Sequence, residues 1–135
     1  MPRRRRLRKI VAPPGFKGYK PYGARINSVN SVELLYEEYE AIKLADYDFL
    51  NHLEAAKLMG ISRPTFARIY ESARQKIAKA LVETRGIKTV YGNAWMDKDW
   101  FTCNICHSRF TIPKTFKGHD CPVCSSTSIE LLNKT

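Results

Sequence analysis

The chain has 135 residues, enough for one modest domain or two small ones and too few for a large core. Its 23 Lys and Arg against 13 Asp and Glu give a formal net charge of +10. No apolar run approaches a membrane span, and no apolar stretch follows the first arginines as a signal peptide requires, so a soluble, intracellular, cytoplasmic protein without a membrane partner is expected.

The charge is unevenly placed. Residues 1–25 carry nine basic side chains (Arg3, Arg4, Arg5, Arg6, Arg8, Lys9, Lys17, Lys20 and Arg25) and no acidic one. The other 110 residues hold 14 basic against 13 acidic, close to balance. Such an arm suits a polyanion, because neutralising phosphates releases condensed counterions. Arg3, Arg4, Arg5, Arg6, Arg8 and Lys9 are therefore expected to touch nucleic acid, the plain alternative being a solvated tail. A membrane-surface role is disfavoured, since the arm has no amphipathic stripe. Pro13-Pro14-Gly15, Gly18, Pro21 and Gly23 exclude a long helix over residues 1–30. Phe16, Tyr19 and Tyr22 are expected to dock on the body of the protein in preference to stacking on bases.

Ser31 is a candidate N-cap, and the spacing of Val32, Leu35, Tyr39 and Ile42 predicts a helix from about 32 to 45. Asp46-Tyr47-Asp48 breaks it. A second helix is predicted over about 51–59, with Leu53, Ala56 and Met59 inward, and Gly60 supplies a left-handed turn. A long helix follows from Ser62, with Pro64 tolerated in its first turn. Its inward face reads Phe66, Ile69, Tyr70, Ala73, Ile77, Ala80 and Leu81, and Gly86 ends it near Arg85. A short strand at Ile87–Tyr91 and a Gly92-Asn93 turn complete this part.

Two helices joined by a three-residue turn, with small Ala55 and Ala56 at their crossing, match the helix-turn-helix of DNA-binding proteins. A 100° step per residue from Phe66 puts Pro64, Ala67, Arg68, Glu71 and Gln75 outward. Arg68 is the candidate base contact, because a guanidinium can bond guanine O6 and N7 together. Arg63 and Thr65 stand at the helix start, where phosphate is usually met. An ordinary helical hairpin with a solvated charged face is the competing reading.

The segments Leu34–Leu44 and Glu54–Glu83, notably EAAKLMGISRPTFARIYESARQKIAKALVE, resemble an uncharacterised family of small bacterial and archaeal proteins predicted to bind DNA. The opening MPRRRR and Tyr19-Lys20-Pro21 resemble that family's N-terminal signature, and the likeness spans residues 1–92. The family's helical core is similar to the promoter-reading C-terminal domain of sigma factors. The resemblance implies a sigma-like helix-turn-helix with Ser62, Arg63, Thr65 and Arg68 in recognition positions. It implies no known target and does not make the chain a sigma factor.

Cys103-x-x-Cys106, fourteen residues, then Cys121-x-x-Cys124 is a metal-site signature. Each pair forms a knuckle that aims two thiolates at one point, and two knuckles complete the tetrahedron Zn²⁺ accepts. Phe101, Phe110, Thr111, Ile112 and Ile129 suit the strands of a zinc ribbon. Iron and c-type haem (from Cys103-Asn104-Ile105-Cys106-His107) are the alternatives, and two disulfides are disfavoured without an export signal. A four-thiolate site is coordinatively closed, so one structural Zn²⁺ is expected. His107 and His119 are read as surface residues. Arg109, Lys114 and Lys117, between the knuckles, are either free or poised for phosphate or protein.

No phosphate loop, HExxH helix or nucleophile with a local base is present, so no enzyme and no small-molecule substrate are expected. Glu37, Glu38 and Glu40 are expected on a solvated helix face. The fold class predicted is mainly α: a sigma-like three-helix core (31–92) with a basic arm (1–30) and a β zinc ribbon (95–135). The function expected is sequence-selective binding of double-stranded DNA by a transcriptional regulator, with a homodimer an open alternative. The rivals are an RNA- or ribosome-associated zinc-ribbon protein and an adaptor contacting the transcription machinery.

Overall fold

Asn51 opens helix α2 (His52–Met59) by accepting the Glu54 amide on its side chain at 2.8 Å. Gly60, at φ 68°, closes it, and Ser62 caps α3 (Arg63–Val82) through the Thr65 amide at 3.3 Å. The predicted helix–glycine turn–helix is therefore present, and the computed structural model describes residues 7–23, 31–113, 115 and 118–133. Ala55, Ala56, Met59 and Phe66 seal the crossing of α2 and α3 together with Ala41 and Leu44 from the preceding helix. Leu53 and Leu81, expected inward, are instead exposed. Helix α3 stops at Val82, before the predicted Gly86, and Thr84 turns the chain at φ 53°.

The first helix departs from expectation. Ser31 caps nothing, because Val32–Leu35 is a strand (β3), and helix α1 covers only Tyr36–Ile42 before a π-helical turn at Lys43–Tyr47. Val32 and Leu34 are both buried with Glu33 exposed between them, an alternation that a strand satisfies. The Leu35 amide donates to Glu38 Oε1 at 2.8 Å, which sets the true helix start.

Strand β3 runs parallel to β4 (Ile87–Val90), with Val32 opposite Ile87, and β2 (Gly18–Tyr19) pairs antiparallel on the other side of β4. Gly18 lies so close to the Ile87 carbonyl that a Cβ would collide with it. Strand β1 (Arg8–Lys9) lies parallel to β5 (Ala94–Trp95). In the C-terminal module β6 (Phe101–Cys103) is flanked by antiparallel β7 (Arg109–Phe110) and β8 (Ile129–Leu131). The architecture is thus mixed α/β and not the mainly α class expected. The reason is that residues 7–23 add strands to the body where the sequence suggested only an arm.

A second apolar cluster shows how the parts join. Ile10, Tyr36, Ala94 and Met96 are buried together and are closed over by Trp100 and Leu132. Asn133 holds this closure by accepting the Trp100 amide and donating to the Lys98 carbonyl, each at 2.7 Å. Phe16 docks against Tyr39 of α1 as expected, while Tyr19, though it touches Phe16, and Tyr22 are exposed, so only one of the three rings meets the docking expectation.

The acidic cluster is the clearest correction. Glu37, Glu38 and Glu40 are 3%, 3% and 1% exposed, not solvated. Helix α1 is covered on one side by α3 and on the other by the segment after β4. Glu38 accepts from Lys76 Nζ at 2.7 Å and Ser72 Oγ at 2.6 Å, both on α3. Glu37 accepts the Asn93 amide at 2.9 Å, and a side chain at Gly92 would strike its carboxylate. Glu40 has Lys43 Nζ 3.9 Å away, and burial pushes its carboxyl above the usual range against the pull of that ammonium.

Candidate metal centre and nucleic-acid interface

The two cysteine pairs fold as near copies of one another. In the first, the Ile105 and Cys106 amides point at Cys103 Sγ (3.4 and 3.5 Å), and the His107 amide returns to the Cys103 carbonyl at 3.0 Å. In the second, the Val123 amide points at Cys121 Sγ (3.4 Å), and the Ser125 amide returns to the Cys121 carbonyl at 2.9 Å. Both turns end on a left-handed residue, His107 at φ 62° and Ser125 at φ 63°. Neither is glycine, so each turn holds a backbone conformation that costs an L residue energy.

This repetition brings Cys103, Cys106, Cys121 and Cys124 together, with all four Sγ atoms within 4.8 Å of one another. Cys103 to Cys124 is 3.5 Å and Cys106 to Cys121 is 3.6 Å. A tetrahedron with zinc–sulfur bonds of about 2.3 Å has sulfur–sulfur edges of about 3.8 Å, so the cluster is compatible with a single zinc site. Without a cation the thiols share protons unequally. Burial pushes Cys121 up, but hydrogen bonds from the Ser108 hydroxyl and the Cys124 and Val123 amides outweigh it and bring the thiol to about 6. The Ser126 amide pulls Cys124 down, yet burial and the three neighbouring thiols push it up to about 12. A divalent cation would remove this conflict by taking all four as thiolates. Cys103 and Cys121 are buried and Cys106 and Cys124 exposed, so such an ion would sit at the module's rim. His107 and His119 are exposed and stand outside this ligand set.

On the helical side, the N-terminal residues of α3 lie at the surface. Arg63, Pro64 and Arg68 are exposed. Arg68 Nε reaches back to the Pro64 carbonyl at 3.4 Å, which leaves its outer nitrogens clear of that contact. Ser62 and Thr65 are occupied locally, because their hydroxyls bond each other at 2.8 Å while Ser62 caps the helix. A shallow surface depression joins the two helix starts, lined by Asn51, His52, Leu53 and Arg63. A second runs along α3 past Ala67, Glu71, Arg74 and Gln75. Exposed or half-exposed Pro64, Ala67, Arg68 and Glu71 follow the i, i+3, i+4, i+7 spacing with which one helix face can lie along a groove. Inward, Tyr70 holds α3 to the chain before α2 by donating to Asp46 Oδ1 at 2.6 Å, and the His52 ring lies 5.2 Å from both Phe66 and Tyr70.

Of the expected basic arm, Arg3, Arg4, Arg5 and Arg6 lie outside the described residues. Arg8 and Lys9 form β1. Arg8 buries Nε and Nη1 with no hydrogen-bond partner among the described residues. Lys9 pairs with Asp97 at 3.1 Å and lies 5.5 Å from the Trp95 ring centroid. The residue that sequence reasoning underrated is Arg109, read as a loop cation. Its Nη1 donates to the Pro14 carbonyl at 2.7 Å and the Phe16 carbonyl at 2.8 Å, and its guanidinium stands 5.5 Å from the Tyr36 ring centroid. Nothing local to Arg109 signals partners over ninety positions away. Lys114 and Lys117 lie outside the described residues.

Comparison with known proteins matches residues 1–97 to the family described as Protein of unknown function DUF134. The chain belongs to this family. It is 38% identical over 130 residues to a UPF0251 protein of Chloroherpeton thalassium, covering 96% of this chain and 86% of that one. It is 39% identical over 134 residues to a UPF0251 protein of Methanothermobacter thermautotrophicus, covering 98% and 69% of the two chains. A UPF0251 protein of Pelotomaculum thermopropionicum is 38% identical over 126 residues, covering 93% and 95%. No solved structure matches. The family's members are uncharacterised bacterial and archaeal proteins, and no helix among the described residues is long and apolar enough to cross a membrane.

Proposed function

We propose that this DUF134 protein binds double-stranded DNA with sequence selectivity, as a transcriptional regulator, through a sigma-like helix-turn-helix. Helix α3 is the recognition helix in this reading, and α2 braces it across the phosphate backbone. The observation that carries the proposal is the junction at Gly60. Its left-handed turn locks α2 on α3 through fully buried Ala55 and Ala56, and leaves the start of α3, with Arg63 and Arg68, facing outward. Arg68 is assigned to a base edge and Arg63 to phosphate, with Ser62 and Thr65 acting on the helix start where their hydroxyls are already joined. Arg3, Arg4, Arg5 and Arg6 supply further phosphate contacts in sequence-independent fashion. The C-terminal module is a zinc ribbon holding one structural Zn²⁺ on Cys103, Cys106, Cys121 and Cys124. The ion neutralises thiolate charge and fixes the knuckles, and the chain's own residues carry the recognition.

Selection of bound duplexes from a random pool tests this. An enriched sequence is expected, with affinity falling steeply as salt is added. Arg68→Ala is expected to lose about 1–3 kcal/mol of discrimination at one position, and Arg63→Ala to weaken all duplexes alike. Equal affinity for unrelated duplexes, or preference for folded RNA, overturns the proposal.

A further inference from the structure

We infer that Arg109 is a latch through which the metal state of the cysteine module controls the N-terminal segment, residues 7–19. Arg109 belongs to the module by backbone, since β7 pairs with β6 and Phe110 beside it is one of the module's three buried residues. It belongs to the body by side chain. One nitrogen, Nη1, grips the carbonyls of Pro14 and Phe16 and lies 3.4 Å from Thr89 Oγ1, while the guanidinium stands beside the ring of Tyr36 on α1. Thr89 in turn bonds the same turn of chain, its hydroxyl to the Phe16 and Lys17 carbonyls and its amide to the Lys17 carbonyl at 3.0 Å. Arg109 therefore completes a polar seat for residues 14–17 whose other half is strand β4.

The geometry gives the latch a direction. The cluster between the module's strands seals Cys103, Phe110 and Cys121 among the described residues, and two of these three are proposed ligands, so the module's fold is tied to the ion. Without the ion the two knuckles that bracket β7 lose their anchor, and the guanidinium loses the fixed position from which it spans two carbonyls. Residues 14–17 then keep the Thr89 hydrogen bonds and the packing of Phe16 on Tyr39 but lose the guanidinium. The segment they anchor includes β1, held along β5 by the Arg8 amide on the Asn93 carbonyl at 2.8 Å and the Ile10 amide on the Trp95 carbonyl at 2.9 Å. Arg3, Arg4, Arg5 and Arg6 directly precede β1 in the sequence. Metal occupancy thus sets where the basic residues leave the body and makes nucleic-acid affinity metal-responsive. This last step rests on the proposed DNA binding, whereas the latch rests only on the proposed zinc site.

Hydrogen exchange on the full chain tests it, comparing zinc-loaded protein, protein stripped with a chelator, and zinc-loaded Arg109→Ala. The Arg8, Ile10 and Thr89 amides are expected to exchange on the order of tenfold faster in the stripped protein and in Arg109→Ala, with the inward amides of α3 unchanged. Zinc stoichiometry and helical circular dichroism establish that the variant is folded. If it fails to fold, the stripped wild-type protein decides. Unaltered exchange of these three amides on stripping, or in a zinc-loaded, folded Arg109→Ala, overturns the latch. Duplex affinity is read separately on the same samples. Faster exchange with undiminished duplex affinity keeps the latch and refutes metal-responsive binding, whereas wild-type protein that binds no duplex refutes the proposed function alone.

Discussion

Around Phe66 six side chains are sealed from water by α1, α2, α3 and the π-helical turn, and every one of them is apolar. The cluster between the three strands of the C-terminal module seals three among the described residues, and two of those are cysteines. Burial of a large apolar side chain contributes about 1.5–3 kcal/mol, and Leu44, Met59 and Phe66 supply it three times in the helical cluster against once, at Phe110, in the module, so the module is the part expected to need a metal. The same chain thus uses two means of holding a shape. One is spread over many small contacts and yields gradually to mutation, and the other, in the proposed zinc-bound form, is concentrated at one point and is expected to yield at once when that point is removed.

Metal removal breaks the comparison most sharply. Chelation is expected to withdraw on the order of 10 kcal/mol of apparent binding energy from the module. Amide protection in β6, β7 and β8 should vanish while the helical dichroism persists; a simultaneous loss of both would mean that the two regions share one fold unit. Next in size is Phe66→Ala, which should lower stability by about 3–5 kcal/mol in a denaturant titration followed by helical signal. Zinc per chain should not change in that variant, and a fall in zinc content would contradict the division.

Smaller effects sharpen the picture within the helical part. Lys76→Met leaves the Glu38 carboxylate with the Ser72 hydroxyl and Leu35 amide but no cation. A cost of about 1–3 kcal/mol is expected, below that of a fully buried pair because the Lys76 side chain is 32% exposed and screened by solvent. Glu40→Gln should have the smallest effect, and it should depend on pH. Burial raises the carboxyl of Glu40 in the folded chain, so the folded state binds that proton more tightly than the unfolded state. Its stabilising share is full below the ordinary glutamate range and declines as pH rises through the raised folded value. Melting temperatures across this window should fall less steeply for Glu40→Gln than for wild type, and parallel curves would show that Glu40 is not the source.

What could be read from the sequence follows from the range of the forces concerned. Helices α2 and α3 and the turn at Gly60 were legible because their signals lie within a few residues: a glycine in the left-handed region, a proline in the first turn, and apolar spacing near 3.6; the caps at Asn51 and Ser62 emerge only in the structure. The cysteine cluster was legible for the same reason, as two knuckles of four residues each. Strand β3 was not, since Val32 and Leu35 fit a helical stripe while Val32 and Leu34 fit an alternation. Its partner Ile87 lies 55 positions away. The acidic run misled because one amphipathic face was assumed for α1. Lys76, Ser72 and the Asn93 amide cover Glu37 and Glu38 from distant parts of the chain, and no local pattern announces that. Arg109 was hidden by the same distance.

The strand pairings also carry a consequence for how the chain comes into being. Arg8 lies opposite Ala94 and Val32 opposite Ile87, both in parallel register, so β2 and β3 have no seat until β4 is synthesised and β1 has none until β5. During translation α1, α2 and α3 emerge and can pack while the residues before them still wait. Closing loops of this length comes late and carries an entropic cost, which makes the joining of the two ends the natural last step of folding. A nascent chain arrested before Ala94 would therefore hold packed helices with β2 and β3 seated while Arg8 and Lys9 still lack their partner strand.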